Sequence, residues 1–390
     1  MTAPPPNKST QELVLVGGGH AHVQVLKLWG RNPIKGVSLT LISPQQHTPY
    51  SGMLPGLIAG HYQMNKTHID LAELCHFAGA KLIQGSVSQI DLRNKELQIS
   101  NGAAVKVFDW LSINSGITPD LHIPGTTEFA TAVKPISEFY PRWQHILQEL
   151  DNANTKQSIA IVGGGSAGVE LVLAMRHAIS ERQSISVPVT LHLVFRGNQA
   201  LKDFPHRIRK RCETALEKAN IYLHRNCHVS KLSKGEIHCT GTTRIPADFI
   251  VLCTHAAAPS WPKTSGLATD IHGFISIEDT LQSRSHPYVF AAGDIAQQTR
   301  HPRPHAGVFA VRQGPVLFNN LQRALQGKPL HSHHPQRDFL SILALGGKSA
   351  IAYRRFWPAL QGNWVWRWKD AIDRRFMTQF GSSKIIKRQH

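Results

Sequence analysis

Apolar runs that end abruptly in glycine punctuate this chain. Leu13-Val14-Leu15-Val16 meets Gly17-Gly18-Gly19, and Ile159-Ala160-Ile161-Val162 meets Gly163-Gly164-Gly165. Such short unbroken apolar stretches suit strands buried in a parallel sheet, and the glycines suit a tight turn into a helix. Each is followed by a second apolar run: 37–42, which ends in Ser43-Pro44, and 189–194, which ends in Phe195-Arg196. The pattern therefore predicts two strand–helix–strand units. Residues 81–90 and 96–100 read as short strands, and 108–116 and 245–254 as strands entering small-residue turns. Val289-Phe290-Ala291-Ala292 is a further buried-type strand delivering Gly293-Asp294 at its carboxyl end, and a helix is expected to follow from 305 to about 325. Proline and glycine density at 48–56 marks a constrained loop. Near the end, Trp364, Val365, Trp368, Ile372 and Phe376 share one face of a predicted helix, with Arg375 and Gln379 intruding.

A glycine turn at a helix start is a ready phosphate site. The first glycine permits the turn, and the second lets backbone N–H groups approach a pyrophosphate at the helix N-terminus. Two such turns predict two dinucleotide sites in one chain. An Asp or Glu usually ends the second strand and accepts ribose hydroxyls; here Ser43 offers only a neutral hydrogen bond. Arg196, at the matching place in the second unit, either meets a 2′-phosphate and favours NADPH or is a solvated surface arginine. Asp294 is placed to accept from a ribityl hydroxyl, with Gly293 and its neighbours turning N–H groups to a phosphate. The amino end of the helix after 305 suits negative charge such as that on a reduced flavin.

Charge adds a second theme. The 390 residues carry 43 Lys+Arg against 25 Asp+Glu, a formal +18, which calls for an anionic partner. From 331 onward eleven Lys/Arg face three Asp/Glu, and four of the eight tryptophans (Trp357, Trp364, Trp366, Trp368) fall there. Basic residues mixed with Trp point to an anionic membrane surface; no nucleic-acid module accompanies the charge, so no nucleic acid is expected. With neither a signal peptide nor a spanning segment legible, the expected location is cytoplasmic, peripheral on the cytoplasmic face of the inner membrane. Five cysteines form no C-x-x-C or C-x4-C and are expected to be free thiols. The His331-Ser332-His333-His334 run, lacking a nearby Cys or a carboxylate at helical spacing, reads as a polar linker, and no metal is expected.

These segments, in this order, resemble the flavoproteins with two dinucleotide-binding domains of the pyridine nucleotide–disulfide oxidoreductase superfamily. Lacking a redox C-x4-C, the chain is more similar to type II NADH dehydrogenases and sulfide:quinone reductases than to disulfide reductases. Gly19-His20-Ala21-His22, Pro49-Tyr50-Ser51-Gly52-Met53-Leu54-Pro55-Gly56 and Trp366-Arg367-Trp368-Lys369-Asp370-Ala371-Ile372-Asp373-Arg374-Arg375-Phe376-Met377 resemble the branch found fused ahead of selenophosphate synthetase (selenide, water dikinase), here as a stand-alone version.

The resemblance implies cofactors FAD and NAD(P)H. Gly17, Gly18, Gly19 and the helix start at His20 and Ala21 would hold the FAD pyrophosphate. Ser43, Gly293 and Asp294 would take its ribose, ribityl or phosphate region; Asn114, Ser115 and Gly116 would line it, and Gly307 and Val308 would lie beside the isoalloxazine. The 48–56 loop is expected on the flavin side. Gly163, Gly165, Ser166 and Gly168 would take the NAD(P)H pyrophosphate, with Arg196 near the adenosine ribose, and Glu170 would stand near nicotinamide and flavin as the catalytic residue. Three departures stand out. His22 replaces a third glycine, so helix–strand packing there must be looser or differently arranged; Ser43 replaces the ribose acid; and Cys253-Thr254-His255 replaces a small-Thr-Gly turn.

The expected fold is α/β, glutathione reductase-like, with two Rossmann-like domains: FAD-binding 12–122 plus 268–330, an inserted NAD(P)H-binding domain at 123–267, and a small cap at 335–390. The expected function is hydride transfer from NAD(P)H to FAD and onward electron transfer to a quinone or similar small acceptor. One alternative is a flavin-bearing regulatory or electron-delivery partner in selenium metabolism, with selenophosphate synthetase as partner. Another is sulfide:quinone oxidoreduction, which the lone Cys253 near a cofactor-facing turn serves poorly.

Overall fold

The computed structural model describes residues 10–100, 104–254 and 256–381. Its frame is two five-stranded sheets, parallel throughout. In the first, the strand order is Val289–Ala291, Trp110–Ile113, Gln11–Val16, Val37–Ser43, Lys81–Gln84. The second repeats the arrangement with Ala130–Ala132, Phe249–Leu252, Gln157–Val162, Val189–Val194 and Ile221–His224. Each glycine turn therefore opens at the carboxyl edge of a central strand, where parallel sheets bind ligands. Leu13, Leu15, Leu41, Ile159, Ile161 and Leu193 are wholly buried, as the unbroken apolar runs require.

Two expected strands are split. Residues 81–90 form Lys81–Gln84 in the first sheet and Ser86–Asp91 in a separate antiparallel meander with Glu96–Ser100 and Ala104–Val107. Likewise 245–254 divides between Arg244–Pro246, in the meander of the second unit, and Phe249–Leu252 in its sheet. A strand paired in one sheet cannot turn into another without a break, and apolar content does not mark that break. The chain passes between the two units along a short antiparallel pair, Thr118–Pro119 with Ala256–Ala257.

The cap is a three-stranded antiparallel sheet, Ser341–Ala344, Ala350–Tyr353 and Leu360–Gly362, followed by the helix Asn363–Met377. The expected single apolar face of that helix is corrected: Val365 and Phe376 turn inward with Asp373, while Trp364 (53% exposed) and Ile372 (41%) face out. The body selects the side that also offers Lys369 and Asp373. No helix among the described residues is long and apolar enough to cross a membrane.

The cysteine expectation is corrected in part. Cys227 and Cys239 are joined across the Val229–Ser233/Glu236–Cys239 ribbon, a pairing that strand register creates and no local spacing announces; Cys75, Cys212 and Cys253 are free. His22 is also explained. Its ring is fully buried beneath the first turn, with Nδ1 2.6 Å from the Gly17 carbonyl and Nε2 2.8 Å from Ser112 Oγ. Packing there is differently arranged rather than looser.

Candidate functional site

The helix His20–Trp29 begins at Gly19, which has no side chain to cap it. Asn114, delivered by the neighbouring strand, takes that part: its Oδ1 accepts from the N–H groups of Ala21 (3.0 Å) and His22 (3.3 Å), and its Nδ2 donates to the Ala292 carbonyl (2.7 Å). This closeness explains three glycines. A Cβ at Gly17 would lie 2.5 Å from the Asn114 carbonyl oxygen, at Gly19 2.3 Å from its Oδ1, and at Gly293 2.3 Å from its Nδ2. Gly17 also takes φ +93°, closed to most side chains. Gly18 packs on Leu71 and Ser43, and Ser115 lies directly under Gly17. Ser43 is buried and spends its hydroxyl proton on the Gln45 carbonyl (2.9 Å), so toward a ribose it can only accept. Gly293 donates its N–H to Gln313 Oε1 (2.7 Å), which removes one donor expected to face a phosphate.

His20 projects from this turn toward the 48–56 loop and the C-terminal helix. Its ring stands edge-on to Tyr50 (5.4 Å) and Phe376 (6.3 Å), and those two stack on each other at 4.4 Å. Beside it lies Gly307, where a Cβ would come 3.1 Å from Ser51 Oγ and 3.8 Å from His20 Nδ1; the Gly307–Leu325 helix thus starts at this spot, followed directly by Val308. Burial lowers the His20 pKa to about 4, Asp294 opposing, and His20 Nε2 is buried without a partner among the described residues. A buried, unpaired, neutral imidazole is costly unless a ligand supplies its partner. Asp294 pairs with Lys134 Nζ at 3.1 Å, across from the second unit. The side chains present fit a flavin dinucleotide: a bare helix start for phosphates, an orphaned ring nitrogen, and a carboxylate–ammonium pair along one edge.

The second turn divides its glycines by purpose. Gly163 (φ +136°) would place a Cβ 2.4 Å from the Cys253 carbonyl oxygen, and Gly168 1.9 Å from that of Gly163. Nothing in the protein comes within 4 Å of a Cβ at Gly165. Its bareness serves space outside the chain, next to Ser166 at the uncapped start of the helix Ser166–Ser180, and this fits a second pyrophosphate. Cys253 beneath the turn has its thiol pushed up to about 12 by burial; His255 lies outside the described residues. Arg196 is exposed at the end of its strand.

Glu170, one turn along this helix, points to the cap. Its Oε1 accepts from the Ala344 N–H (2.8 Å), and burial pushes its carboxyl up to about 7, with Lys369 opposing. Lys369 Nζ donates to Asp373 Oδ2 at 2.6 Å and to the Gly52 carbonyl. Asp373, itself raised by burial, accepts from the Tyr50 hydroxyl. A chain of ionisable groups thus runs Glu170, Lys369, Asp373, Tyr50, ending against His20. A groove of about 650 Å³ lies farther along the same helix by Arg176, His177, Lys210 and Arg211, and takes in none of these groups.

Sequence reading missed Lys134, Tyr50, Lys369 and Asp373 as site residues. The last three stand inside motifs already singled out at 49–56 and 366–377, so the signal was present. Lys134 had none, because only the fold brings it across to Asp294.

The family model described as pyridine nucleotide-disulphide oxidoreductase matches residues 11–314. The NADH dehydrogenase-like protein YutJ of Bacillus subtilis is 25% identical over 346 residues, covering 87% of this chain and 91% of that protein. Demethylphylloquinone reductase NdbB of Synechocystis sp. is 22% identical over 353 residues, 87% of this chain and 85% of that one. Among solved structures, the sulfide:quinone oxidoreductase of Aquifex aeolicus has the same fold, with TM-score 0.79 and 17% identity over 96% of this chain and 92% of that one. With two parallel sheets, two bare glycine turns and a family match over most of its length, the chain belongs to the pyridine nucleotide-disulphide oxidoreductase family and is an FAD-dependent NAD(P)H oxidoreductase.

Proposed function

We propose that the protein is an NAD(P)H:quinone oxidoreductase acting at a membrane surface, with the acceptor reached beneath the C-terminal cap. The observation that carries this reading is Glu170. A carboxyl raised to about 7 is protonated in a large share of molecules at neutral pH, where an ordinary glutamate is not, and quinone reduction consumes protons. The demethylphylloquinone reductase relative supports a quinone as acceptor.

FAD, when bound, supplies the two-electron carrier between nicotinamide and acceptor. Gly17, Gly18, Gly19, His20 and Ala21 hold its pyrophosphate, while Ser43, Asn114, Ser115, Gly116, Gly293 and Asp294 line its ribose and ribityl portion. Gly307 and Val308, with His20 and Tyr50 beside them, would border its ring. Lys134, paired with Asp294, would set a positive charge along the ribityl edge of the bound group. Gly163, Gly165, Ser166 and Gly168 hold the NAD(P)H pyrophosphate, and Arg196 stands at the strand end where a 2′-phosphate would lie. Lys369, Asp373 and Tyr50 position Glu170's proton for the acceptor. Residues 12–122 and 268–330 form the FAD domain, 123–267 the NAD(P)H domain, and 335–390 the cap. The outward Trp364 and Ile372, with Phe356 (88% exposed), Trp357 and the neighbouring arginines, suit an anionic bilayer on the cytoplasmic face.

A second reading has one observation in its favour. The three motifs resembling the selenophosphate-synthetase-fused branch converge, since His20, Tyr50 and Phe376 touch one another. A branch-specific electron acceptor in selenium metabolism would meet the protein there. Sulfide:quinone chemistry is disfavoured, because Cys253 has no partner thiol among the described residues. Anaerobic addition of NADH or NADPH to the purified protein separates these cases. Loss of flavin absorbance, reversed by a soluble quinone, supports the first reading; reduction without reoxidation by quinone supports the second; a yellow protein that ignores both nucleotides defeats the dehydrogenase.

A further inference from the structure

Behind the segment that carries Asp294, three stretches distant in sequence bring two imidazoles and a carboxylate together. Asp279 follows the strand Ile275–Ile277, His301 follows its parallel partner Ala296–Gln298, and His334 lies on the connection between the Gly307–Leu325 helix and the cap. One ligand-capable atom from each lies within 4.8 Å of the other two. His334 Nδ1 is 3.4 Å from His301 Nε2, and Asp279 Oδ2 is 3.9 Å from the same nitrogen. Two atoms each about 2.0–2.1 Å from a tetrahedral zinc stand roughly 3.4 Å apart. The imidazole pair already has that spacing, and the carboxylate needs only a small rotation to match it.

The surroundings hold the carboxylate and the segments that carry the donors in place. Gln298 Nε2 donates to Asp279 Oδ1 (2.6 Å) and to the His333 carbonyl (2.8 Å), leaving Oδ2 to face the histidines. The His333 N–H donates to the Asp279 carbonyl at 2.7 Å. Asn320, fully buried, ties the same segments together: Nδ2 donates to the Thr280 and His331 carbonyls, and Oδ1 accepts from the His331 N–H, each at 2.8 Å. Arg303, the nearby cation, is turned to the carbonyls of Pro302, Pro335 and Gln336. Outer hydrogen bonds of this kind orient metal ligands before an ion arrives.

We propose that Asp279, His301 and His334 form a binding site for a divalent ion of the zinc class, with a fourth position open to water. Two imidazoles with one carboxylate favour zinc over magnesium or calcium, which prefer all-oxygen sets. The fold supplies the carboxylate that the His331–His334 stretch lacks in sequence. His301 also borders the small cavity that contains Asp294 and His305, so a bound ion would pin the connection to the cap against the segment carrying Asp294.

The test uses the full chain without a polyhistidine tag, stripped with a chelator and titrated with zinc by calorimetry, with metal content measured in parallel. One equivalent is expected to bind at micromolar or tighter affinity. His334→Ala, at an exposed ring, and the isosteric Asp279→Asn should each weaken binding ~10-fold or more, while His331→Ala, outside the triad, should bind as the parent does. Should Asp279→Asn fail to fold, His334→Ala decides alone. Absence of saturable binding below about 1 mM zinc, or equal uptake by the parent and His334→Ala, would overturn the proposal and leave His301 and His334 as a plain hydrogen-bonded pair.

Discussion

His22 and Ser112 meet at 2.8 Å beneath the first glycine turn, both fully buried, and the other ring nitrogen of His22 reaches the Gly17 carbonyl. The imidazole fills the volume that a third glycine would have closed by bringing helix and strand nearer. His22→Gly is therefore expected to weaken the protein, by about 2–4 kcal/mol from the lost ring packing, two buried hydrogen bonds and added backbone freedom. Thermal unfolding and retained flavin should fall together; an unchanged melting temperature would mean the ring is dispensable.

The same burial fixes a pH dependence. His20, His22 and His192 are lowered to about 4, so each is neutral in the fold while the unfolded chain takes up a proton near 6.5. The unfolded state then binds more protons between those values. Stability is full above about pH 6.5 and declines as pH falls toward 4, at most ~3 kcal/mol per ring. Denaturant midpoints at pH 7.5 and pH 5 measure it, and His22→Gln should flatten part of the slope.

Gly165 and Gly168 should part company under the same substitution. Gly165→Ala meets no protein atom and should fold with a near-parental melting temperature, yet raise the KM for NAD(P)H ~10-fold or more by intruding on the phosphate cradle. Gly168→Ala drives a Cβ into the Gly163 carbonyl and should cost about 3 kcal/mol or more of stability. Normal KM in Gly165→Ala would place the nucleotide elsewhere.

Both glycine turns and their strands were legible because a buried parallel strand and a helix-starting turn leave local marks: an unbroken apolar run, then residues without Cβ. What was illegible depends on register or crossing. Nothing near Cys227 specifies Cys239 until the ribbon pairs them. Lys134 lies far from Asp294 in sequence, and the inward face of the last helix was decided by Lys369 and Asp373, which a rule seeking apolar positions discards. His22 carried a local signal, a broken glycine pattern, but not its resolution, since Ser112 comes from another strand.

Membrane attachment should depend on the outward face of that last helix. Trp364→Glu with Ile372→Glu adds charge on the outward side, where the two side chains are 53% and 41% exposed, and should reduce co-sedimentation with phosphatidylglycerol vesicles ~10-fold while leaving NADH-dependent reduction of a soluble acceptor intact. Parental binding should weaken with salt, because arginine–headgroup attraction is screened. Binding indifferent to both would assign the face to another protein surface.

Glu170 offers the sharpest separation between a structural acid and a catalytic one. As a helix residue hydrogen-bonded to the Ala344 N–H, it would tolerate Glu170→Gln with modest change in stability, because the amide oxygen can still accept. As a proton donor to the acceptor, it must carry a proton, which burial secures up to about pH 7 and which is lost above it. Quinone-dependent turnover should then hold level below that point and fall with rising pH. Glu170→Gln should lower kcat with quinone ~100-fold and abolish the step in the profile, the loss falling on the quinone-dependent half of the cycle. Lys369→Met, by removing the positive charge that favours the carboxylate, should move the step to higher pH instead of erasing it. Stopped-flow reoxidation across pH 6 to 9 reads both effects, and a flat profile in the parent would reduce Glu170 to a fastener of the cap.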